Sequence, residues 1–208
     1  MSAPSAIGFR AGVAAAAATV AYDVVQILQV IGVLHFPVDE ILIFGTSLCI
    51  TVPFLLEVLA LHYSRTADKQ YWSHAGLLFA TMYAMFGAAN YVVQLGTVIP
   101  AKLQGTRDVV PLLEQTPHSL LWDFDAIAYL AMGLAALLII PALRDDGAER
   151  RVRVACVAHV AATALAGVVY FHGTYSHKLL LLGVPWAITA PVFMLLLALA
   201  LRTERPAA

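Results

Sequence analysis

Six long apolar runs limit the fold of this chain more than any other feature of its sequence. An apolar helix of about 20 residues matches the roughly 30 Å hydrocarbon core of a bilayer. Charged residues make up only 12% of the chain, against about 25% in soluble domains, which leaves too little polar surface to cover a globule in water. The sequence therefore predicts an all-α, polytopic membrane protein that forms a bundle of six transmembrane helices.

The six predicted spans form one domain that covers residues 1–208. Their expected bounds are 13–34, 41–62, 72–99, 120–143, 154–171 and 179–201. Prolines, glycines and acidic residues mark the connectors between them. The first run follows Arg10 and could be read as a signal peptide. Its apolar character continues to Leu34, however, so we expect an uncleaved transmembrane helix.

Basic residues divide unevenly between the two sides that six crossings define. One side has nine, which are Arg10, Arg65, Lys69, Arg144, Arg150, Arg151, Arg153, Arg202 and Arg205, and the other has three, which are Lys102, Arg107 and Lys178. Short cytoplasmic loops carry an excess of lysine and arginine. The larger set, and both termini, are therefore predicted on the cytoplasmic side of a cell membrane.

Polar and aromatic side chains recur inside the spans at helical spacing. Steps of three, four and seven residues place such side chains on one helix face. The candidate substrate-binding residues on these faces are Tyr22, Gln26, Tyr83, Asn90, Gln94, Trp122, Tyr129, His159, Tyr170 and Trp186. Because lipid cannot solvate polar groups, we expect these faces to turn toward one another or toward water. For Gln26, simple hydrogen bonding between helices is the preferred interpretation, and Trp186 fits a packing role equally well.

Three carboxylic acids, Asp23, Glu57 and Asp125, lie within the predicted spans. A charged aspartate at the centre of a helix costs about +2.5 to +3.5 kcal/mol on insertion scales, and no lysine or arginine lies deep in a span to neutralise it. A buried carboxyl group without a cation favours its neutral form, and a neutral carboxylic acid can donate a proton. We therefore predict that these residues are catalytic, with Asp125 as the acid and Asp23 or Glu57 as the base.

No metal and no cofactor is expected. Histidines collect near the predicted outer ends of the spans, at His35, His118, His172 and His177, but they fit no firm zinc-ligand spacing. The sequence has no P-loop, dinucleotide fingerprint, nucleophile elbow or metalloprotease helix. A net charge of −1 without a basic arm argues against nucleic acid as a partner. The expected partners are the lipid bilayer and a lipophilic small molecule, and a homo-oligomer remains open.

Three functions fit this pattern. The preferred hypothesis is an intramembrane acid/base enzyme, an isomerase, cyclase or hydratase that acts on a terpenoid or another lipid. A proton-coupled small-solute transporter would use the acids as a relay across the bilayer. A non-catalytic membrane subunit or sensor would use the polar stripes as assembly contacts. The enzyme hypothesis requires that the three acids face a common space inside the bundle.

Overall fold

The computed structural model describes residues 3–203, apart from the side chains of Val109 and His177. Within that range the chain is helical almost throughout, without a strand. Six helical segments are long and apolar enough to cross a membrane. These segments confirm the predicted all-α bundle of six spans. Arg205, one of the nine residues of the larger basic set, lies outside the described residues.

Along residues 3–203 the structure has eight α-helices, one π-helical turn and three 3-10 turns. They are α1 (Ala3–Val30), α2 (Val38–Tyr63), α3 (Ala67–Val93), a π-helical turn (Gln94–Val98), α4 (Ile99–Leu103), a 3-10 turn (Arg107–Val109), α5 (Leu120–Ile139), a 3-10 turn (Ile140–Ala142), α6 (Gly147–Phe171), α7 (His177–Leu180), a 3-10 turn (Leu181–Gly183) and α8 (Val184–Thr203). The third span joins α3, the π-helical turn and α4, and the sixth joins α7 and α8.

The first helix departs most from its predicted bounds. It begins at Ala3 instead of residue 13, because helical geometry extends through the residues before the predicted run, including Ser5 and Arg10. It ends at Val30 instead of Leu34. Gly32 has a φ of +72°, and its backbone N–H donates to a carbonyl of the last helical turn. A left-handed glycine of this kind ends a helix, whatever the hydropathy of the residues that follow.

The spans form a ring in which each helix packs against its neighbours in sequence. α1 packs against α2, α2 against α3, α3 against α5, α5 against α6 and α6 against α8, which returns to α1. Aromatic side chains fill the centre of this ring. The Phe54 ring lies 5.5 Å from the Tyr83 ring and 5.7 Å from the Phe193 ring, centre to centre. Side chains of α2, α3 and α8 therefore meet in the interior of the bundle.

The bundle has two different ends. The terminal end is the one where Ala3 and Thr203 lie, and it includes the connectors 64–66 and 143–146. The connector end is the opposite one, and it includes the long connector 104–119 between α4 and α5. At the terminal end, Arg65 and Glu149 form an ion pair of 3.0 Å, with side chains only 5% and 3% exposed. This pair joins the connector 64–66 to the first turn of α6.

Small residues allow α1 to approach α2 and α8 closely. A Cβ atom on Gly8 would collide with the Cβ atom of Ala60 in α2 and would lie 2.9 Å from Leu201 Cδ1 in α8. Gly12, one turn later, faces the Glu57 side chain and Ala198 in the same way. Close approach of backbones at small residues is a common source of helix association in membranes.

We expect Gly8→Ala to lower the free energy of unfolding by about 1–3 kcal/mol, because overpacking forces the helices apart. Gly45→Ala in α2 is the matched control, since nothing lies within 4 Å of a Cβ atom there. That variant should be neutral or slightly more stable, because alanine is the better helix former. Unfolding in detergent micelles measures both. An equal loss in the two variants would contradict the close packing of α1.

Candidate functional site

Asp125, near the start of α5, is buried and accepts four hydrogen bonds. Its Oδ1 atom accepts from Asn90 Nδ2 at 3.3 Å and from the Tyr91 hydroxyl at 3.2 Å. Its Oδ2 atom accepts from Gln115 Nε2 at 2.8 Å and from the Tyr170 hydroxyl in a short hydrogen bond. We call these five residues the Asp125 site. Its donors come from α3, from the connector 104–119 and from α6, so one carboxyl group joins three segments to α5.

The donors around Asp125 suit an ionised carboxylate. Two hydroxyl groups and two amide groups point their hydrogens at its oxygens, and none of the four is a cation. Hydrogen bonds to the charged form of a carboxyl group favour that form. The neutral acid that the sequence predicts at this position stays a prediction, and the geometry adds that the closest hydrogen-bond partner of the carboxyl group is a tyrosine.

The connector 104–119 closes the Asp125 site at the connector end of the bundle. Gln94 Nε2 donates to the Leu113 carbonyl at 2.6 Å, and Asn90 Nδ2 donates to Gln115 Oε1 at 2.9 Å. Gln94 is the first residue of the π-helical turn. Such turns insert one extra residue into a helix and often occur at functional sites. Here the turn lies beside the residues that hold the connector over Asp125.

A cluster of charged residues fastens the same connector to the rest of the bundle. The Glu114 carboxylate lies 2.7 Å from Lys102 Nζ and 2.9 Å from Arg107 Nη2. Lys102 also lies 2.8 Å from the Glu40 carboxylate of α2. Lys102 thus links Glu114 of the connector to α2. Gln115, which follows Glu114 in the chain, is the residue that reaches Asp125.

The connector should loosen in acid. Burial acts to raise the pKa of Glu114, but the hydrogen bonds and charges of Lys102 and Arg107 outweigh burial, and its pKa is lowered. A carboxyl group with a lower pKa in the folded state stabilises that state above its unfolded pKa and stops doing so as the pH falls through its folded pKa. Hydrogen exchange of the connector amides should therefore accelerate, relative to the rest of the chain, below about pH 4.

Glu114→Gln should give fast exchange in the connector already at neutral pH, with a flatter pH profile. The matched control is Asp108→Asn, because Asp108 is an exposed acid of the same connector. It should keep the wild-type profile. An acid-induced loosening that survives in Glu114→Gln would show that another group is responsible.

An aromatic layer begins at Tyr170 and leads away from Asp125. The Tyr170 ring lies 4.7 Å from the Trp122 ring and 5.4 Å from the Tyr129 ring. Tyr129 in turn packs against Trp186 of α8 at 4.5 Å. The Trp122 indole N–H donates to the Tyr170 carbonyl at 3.2 Å, which holds its ring in place. The layer gives the Asp125 site an apolar neighbour made from α5, α6 and α8.

Hydroxyl groups continue the polar network across this layer to α1. The Tyr22 and Tyr129 hydroxyl oxygens lie 3.4 Å apart. Gln26 Nε2 donates to the Tyr22 hydroxyl at 2.9 Å. The predicted polar face of α1 therefore turns inward at these two residues and meets α5.

His159, in the middle of α6, forms a second polar group deeper in the bundle. Its Nδ1 atom lies 3.1 Å from the Thr189 hydroxyl of α8. Its Nε2 atom, the Thr163 hydroxyl and the Trp186 indole N–H are buried without a hydrogen-bond partner among the described residues. Buried polar atoms left unpaired cost about 1–3 kcal/mol each. A water molecule or a polar group of a ligand would be stabilised where it could reach them.

The structure does not bring the three candidate acids together. Glu57 is fully buried near the terminal end, against Gly12 of α1 and Ala198 of α8, and its oxygens make no hydrogen bond among the described residues. Asp23 is half-buried on α1 and takes no part in the hydrogen bonding of Asp125. Among the described residues no hydrogen bond links Asp125 to Asp23 or Glu57, and their pairing as acid and base stays a prediction.

Sequence reasoning did not propose Gln115 as a site residue or Tyr91 as a hydrogen-bond donor to Asp125, and Tyr83 contributes differently from what was expected. Tyr91 follows Asn90 directly, so it lies off the stripe that helical spacing selects. Gln115 lies in a connector, where no periodicity shows which way a side chain points. Tyr83 packs its ring against Phe54 and belongs to the central aromatic core.

No known protein family, curated protein or solved structure matches this chain. Among residues 3–203 no group of three or more histidine, cysteine, aspartate and glutamate side chains is placed to hold a metal ion. The function must therefore be argued from the geometry of the Asp125 site and of the aromatic layer beside it.

Proposed function

We propose that this chain is an intramembrane acid/base enzyme that moves a proton on a lipophilic small molecule, such as a terpenoid or another lipid. The observation that supports this proposal is the Asp125 carboxyl group, which four donors from three other segments hold beside an aromatic layer. Fixed hydrogen bonds in a buried site stabilise charge at little cost in reorganisation. An apolar pocket with a few well-placed polar groups is the usual form of a small-molecule site.

In this proposal Tyr170 and Asp125 act as one proton-transferring pair. The Tyr170 hydroxyl donates to Asp125, and its ring belongs to the aromatic layer, so it is the group that meets the substrate. During an isomerisation the pair would accept a proton from one carbon of the substrate and return a proton to another. The double bond moves, and atoms and charge balance without a co-reactant. Cyclisation would use the pair in the same way, whereas hydration would also consume a water molecule.

The other residues of the site would hold the pair and the substrate. Both oxygens of Asp125 accept hydrogen bonds from Asn90, Tyr91 and Gln115. These three residues would position the carboxyl group and would not transfer the proton. Trp122, Tyr129 and Trp186 would line the apolar part of the substrate site. Neither Asp23 nor Glu57 has a catalytic part in this form of the proposal.

We also propose that the protein lies in the cell membrane with its terminal end in the cytoplasm. The terminal end has Arg10, Arg65, Lys69, Arg144, Arg150, Arg151, Arg153 and Arg202, against Lys102, Arg107 and Lys178 at the connector end. Such an excess in short loops is typical of the cytoplasmic side. The Asp125 site would then lie in the outer half of the bilayer, under the connector 104–119.

Deuterium exchange tests the enzyme proposal with a mixture of lipids, so that no single substrate has to be chosen. Membranes that contain the protein are incubated in deuterated water with a lipid extract, and the lipids are analysed by mass spectrometry. A proton-transferring enzyme incorporates deuterium at carbon in one lipid class, and Tyr170→Phe should lower this incorporation at least about 100-fold. A deuterium pattern identical to that of membranes without the protein would refute the proposal.

Proton-coupled transport of a small solute is a second candidate, which the depths of the polar groups favour. Asp125 lies near the connector end, His159 at the middle of α6 and Glu57 near the terminal end, so buried titratable groups occur at three levels. Intramembrane carboxyl and histidine groups in series are typical of proton pathways. Proteoliposomes with a pH gradient test this function. Solute uptake or proton flux that Glu57→Gln abolishes would support transport. If the proteoliposomes show neither uptake nor flux, transport is refuted and the enzyme proposal stands.

A further inference from the structure

A groove with basic and apolar walls lies at the terminal end of the bundle, far from the Asp125 site. It runs between the end of the fourth span and the start of α6. Its lining residues are Ile140, Asp145, Arg150, Arg153, Val154 and Val157. The groove thus combines two arginines at the end of the bundle with three aliphatic side chains on the membrane-spanning part.

The spacing of the α6 residues makes one continuous lane along the helix. Arg153, Val154 and Val157 lie three, four and seven residues after Arg150, which is the spacing of a single helix face. Val154 is 65% exposed and Val157 is 58% exposed, so the lane lies open on the outside of the bundle. The same exposed face continues past Val157 to Leu165 and Val168. An extended hydrocarbon chain could therefore lie along α6 below the two arginines.

The charge of the groove favours an anion at the part of the groove that lies nearest the terminal end of the bundle. Arg150 is exposed and forms no ion pair among the described residues. Arg153 is half-buried and has one long contact, 4.0 Å, with the Asp145 carboxylate, which is itself 76% exposed. Arg144 differs, because its guanidinium group already pairs with Glu149 at 3.1 Å. Two guanidinium groups with free donors at the membrane boundary fit a phosphate group.

We propose that this groove binds one anionic phospholipid of the leaflet at the terminal end, with its phosphate between Arg150 and Arg153 and an acyl chain along Val154 and Val157. A zwitterionic lipid brings the same chains but carries an ammonium group beside its phosphate, so it gains less from the two arginines. Asp145 opposes the anion from one wall of the groove. The site lies at the opposite end from Asp125 and does not depend on the proposed function.

Native mass spectrometry of the purified, full chain measures this binding directly. Phosphatidylglycerol and phosphatidylcholine with identical chains are titrated, and the apparent Kd of the first bound lipid is compared. We expect tighter binding of phosphatidylglycerol. Arg150→Gln and Arg153→Gln should each weaken it about fivefold, which is the equivalent of about 1 kcal/mol per basic residue at an anionic surface. The affinity for phosphatidylcholine should hardly change.

Two further variants separate a built site from general surface attraction. Arg151→Gln removes another exposed charge, one that lies off the lane, and it should change the affinity by less than about twofold. Asp145→Asn removes the opposing carboxylate and should tighten the binding of phosphatidylglycerol. Equal affinities for the two lipids, or equal losses in Arg151→Gln and Arg150→Gln, would overturn the proposal. Displacement of the lipid by millimolar glycerol phosphate would overturn it too, since the acyl lane would then contribute nothing.

Discussion

Asp125→Asn is expected to lower the rate of deuterium incorporation into the substrate by about 10²–10⁴-fold, the usual contribution of a positioned acid or base. Asparagine keeps the size of the side chain, but its amide cannot accept and return a proton as a carboxyl group does. Its amide nitrogen also replaces one oxygen that accepts from two donors, so either the pair Asn90 and Tyr91 or the pair Gln115 and Tyr170 loses its acceptor. The chemistry of the site would be lost even where the helices still pack.

The control for this prediction is Asp123→Asn, the same substitution two residues earlier on α5. Asp123 is exposed and lies on another face of the helix, so its replacement should leave the rate unchanged. Rates are compared per folded protein, because an unpaired donor at Asp125 costs about 1–3 kcal/mol of stability. Normal incorporation by folded Asp125→Asn protein would remove Asp125 from the mechanism.

The largest effect on stability is expected from Glu149→Ala, with a loss of about 3–5 kcal/mol in the free energy of unfolding. Glu149 lies 3.0 Å from Arg65 Nη1, accepts the Arg144 backbone N–H at 2.5 Å and lies 3.1 Å from Arg144 Nη2. Its removal deprives the buried Arg65 guanidinium of this carboxylate. Arg65 also donates to the Ala142 carbonyl at 3.3 Å, but a neutral acceptor cannot replace the lost charge.

Unfolding in detergent micelles measures this loss, with two comparisons. Asp145→Asn removes an acid of the connector 143–146, just before α6, whose contact with Arg153 is long and exposed, and such pairs contribute about 0–1 kcal/mol. The double variant Arg65→Leu/Glu149→Leu should be more stable than Glu149→Ala, because it removes both buried charges together. A small loss in Glu149→Ala, similar to that of Asp145→Asn, would show that the Arg65–Glu149 pair is not buried in the folded protein.

Hydropathy was sufficient to predict the six spans but not their ends. An apolar run defines the part of a helix that lipid surrounds, while helices extend beyond it as long as the backbone can continue. Gly32 ends α1 inside an apolar stretch, and α6 begins at Gly147, well before the apolar run that starts at residue 154. Backbone geometry, and not hydropathy, determines these ends.

The helical spacing of polar residues indicated part of the Asp125 site for a physical reason. Asn90, Asp125 and Tyr170 cannot be solvated by lipid, and the inward faces of α3, α5 and α6 meet in the ring, so the structure brings them together. The spacing of polar residues shows which face of a helix turns inward. It does not show how deep in the bundle a side chain lies or which helix packs against it. Glu57 therefore lies among α1, α2 and α8, away from Asp125. Gln115 could not be found, because its direction depends on how the connector 104–119 folds back over the bundle.

A double-mutant cycle on Asp125 and Tyr170 tests the central claim most directly, because it asks whether α5 and α6 are joined through one hydrogen-bonded site. The free energies of unfolding of Asp125→Asn, Tyr170→Phe and the double variant are measured under identical conditions. Direct contact predicts a coupling energy of about 0.5–3 kcal/mol, whereas distant side chains add to within about 0.3–0.5 kcal/mol. Coupling in the first range is the result predicted here. Strict additivity would contradict the hydrogen bond between Asp125 and Tyr170, and with it the proton-transferring pair.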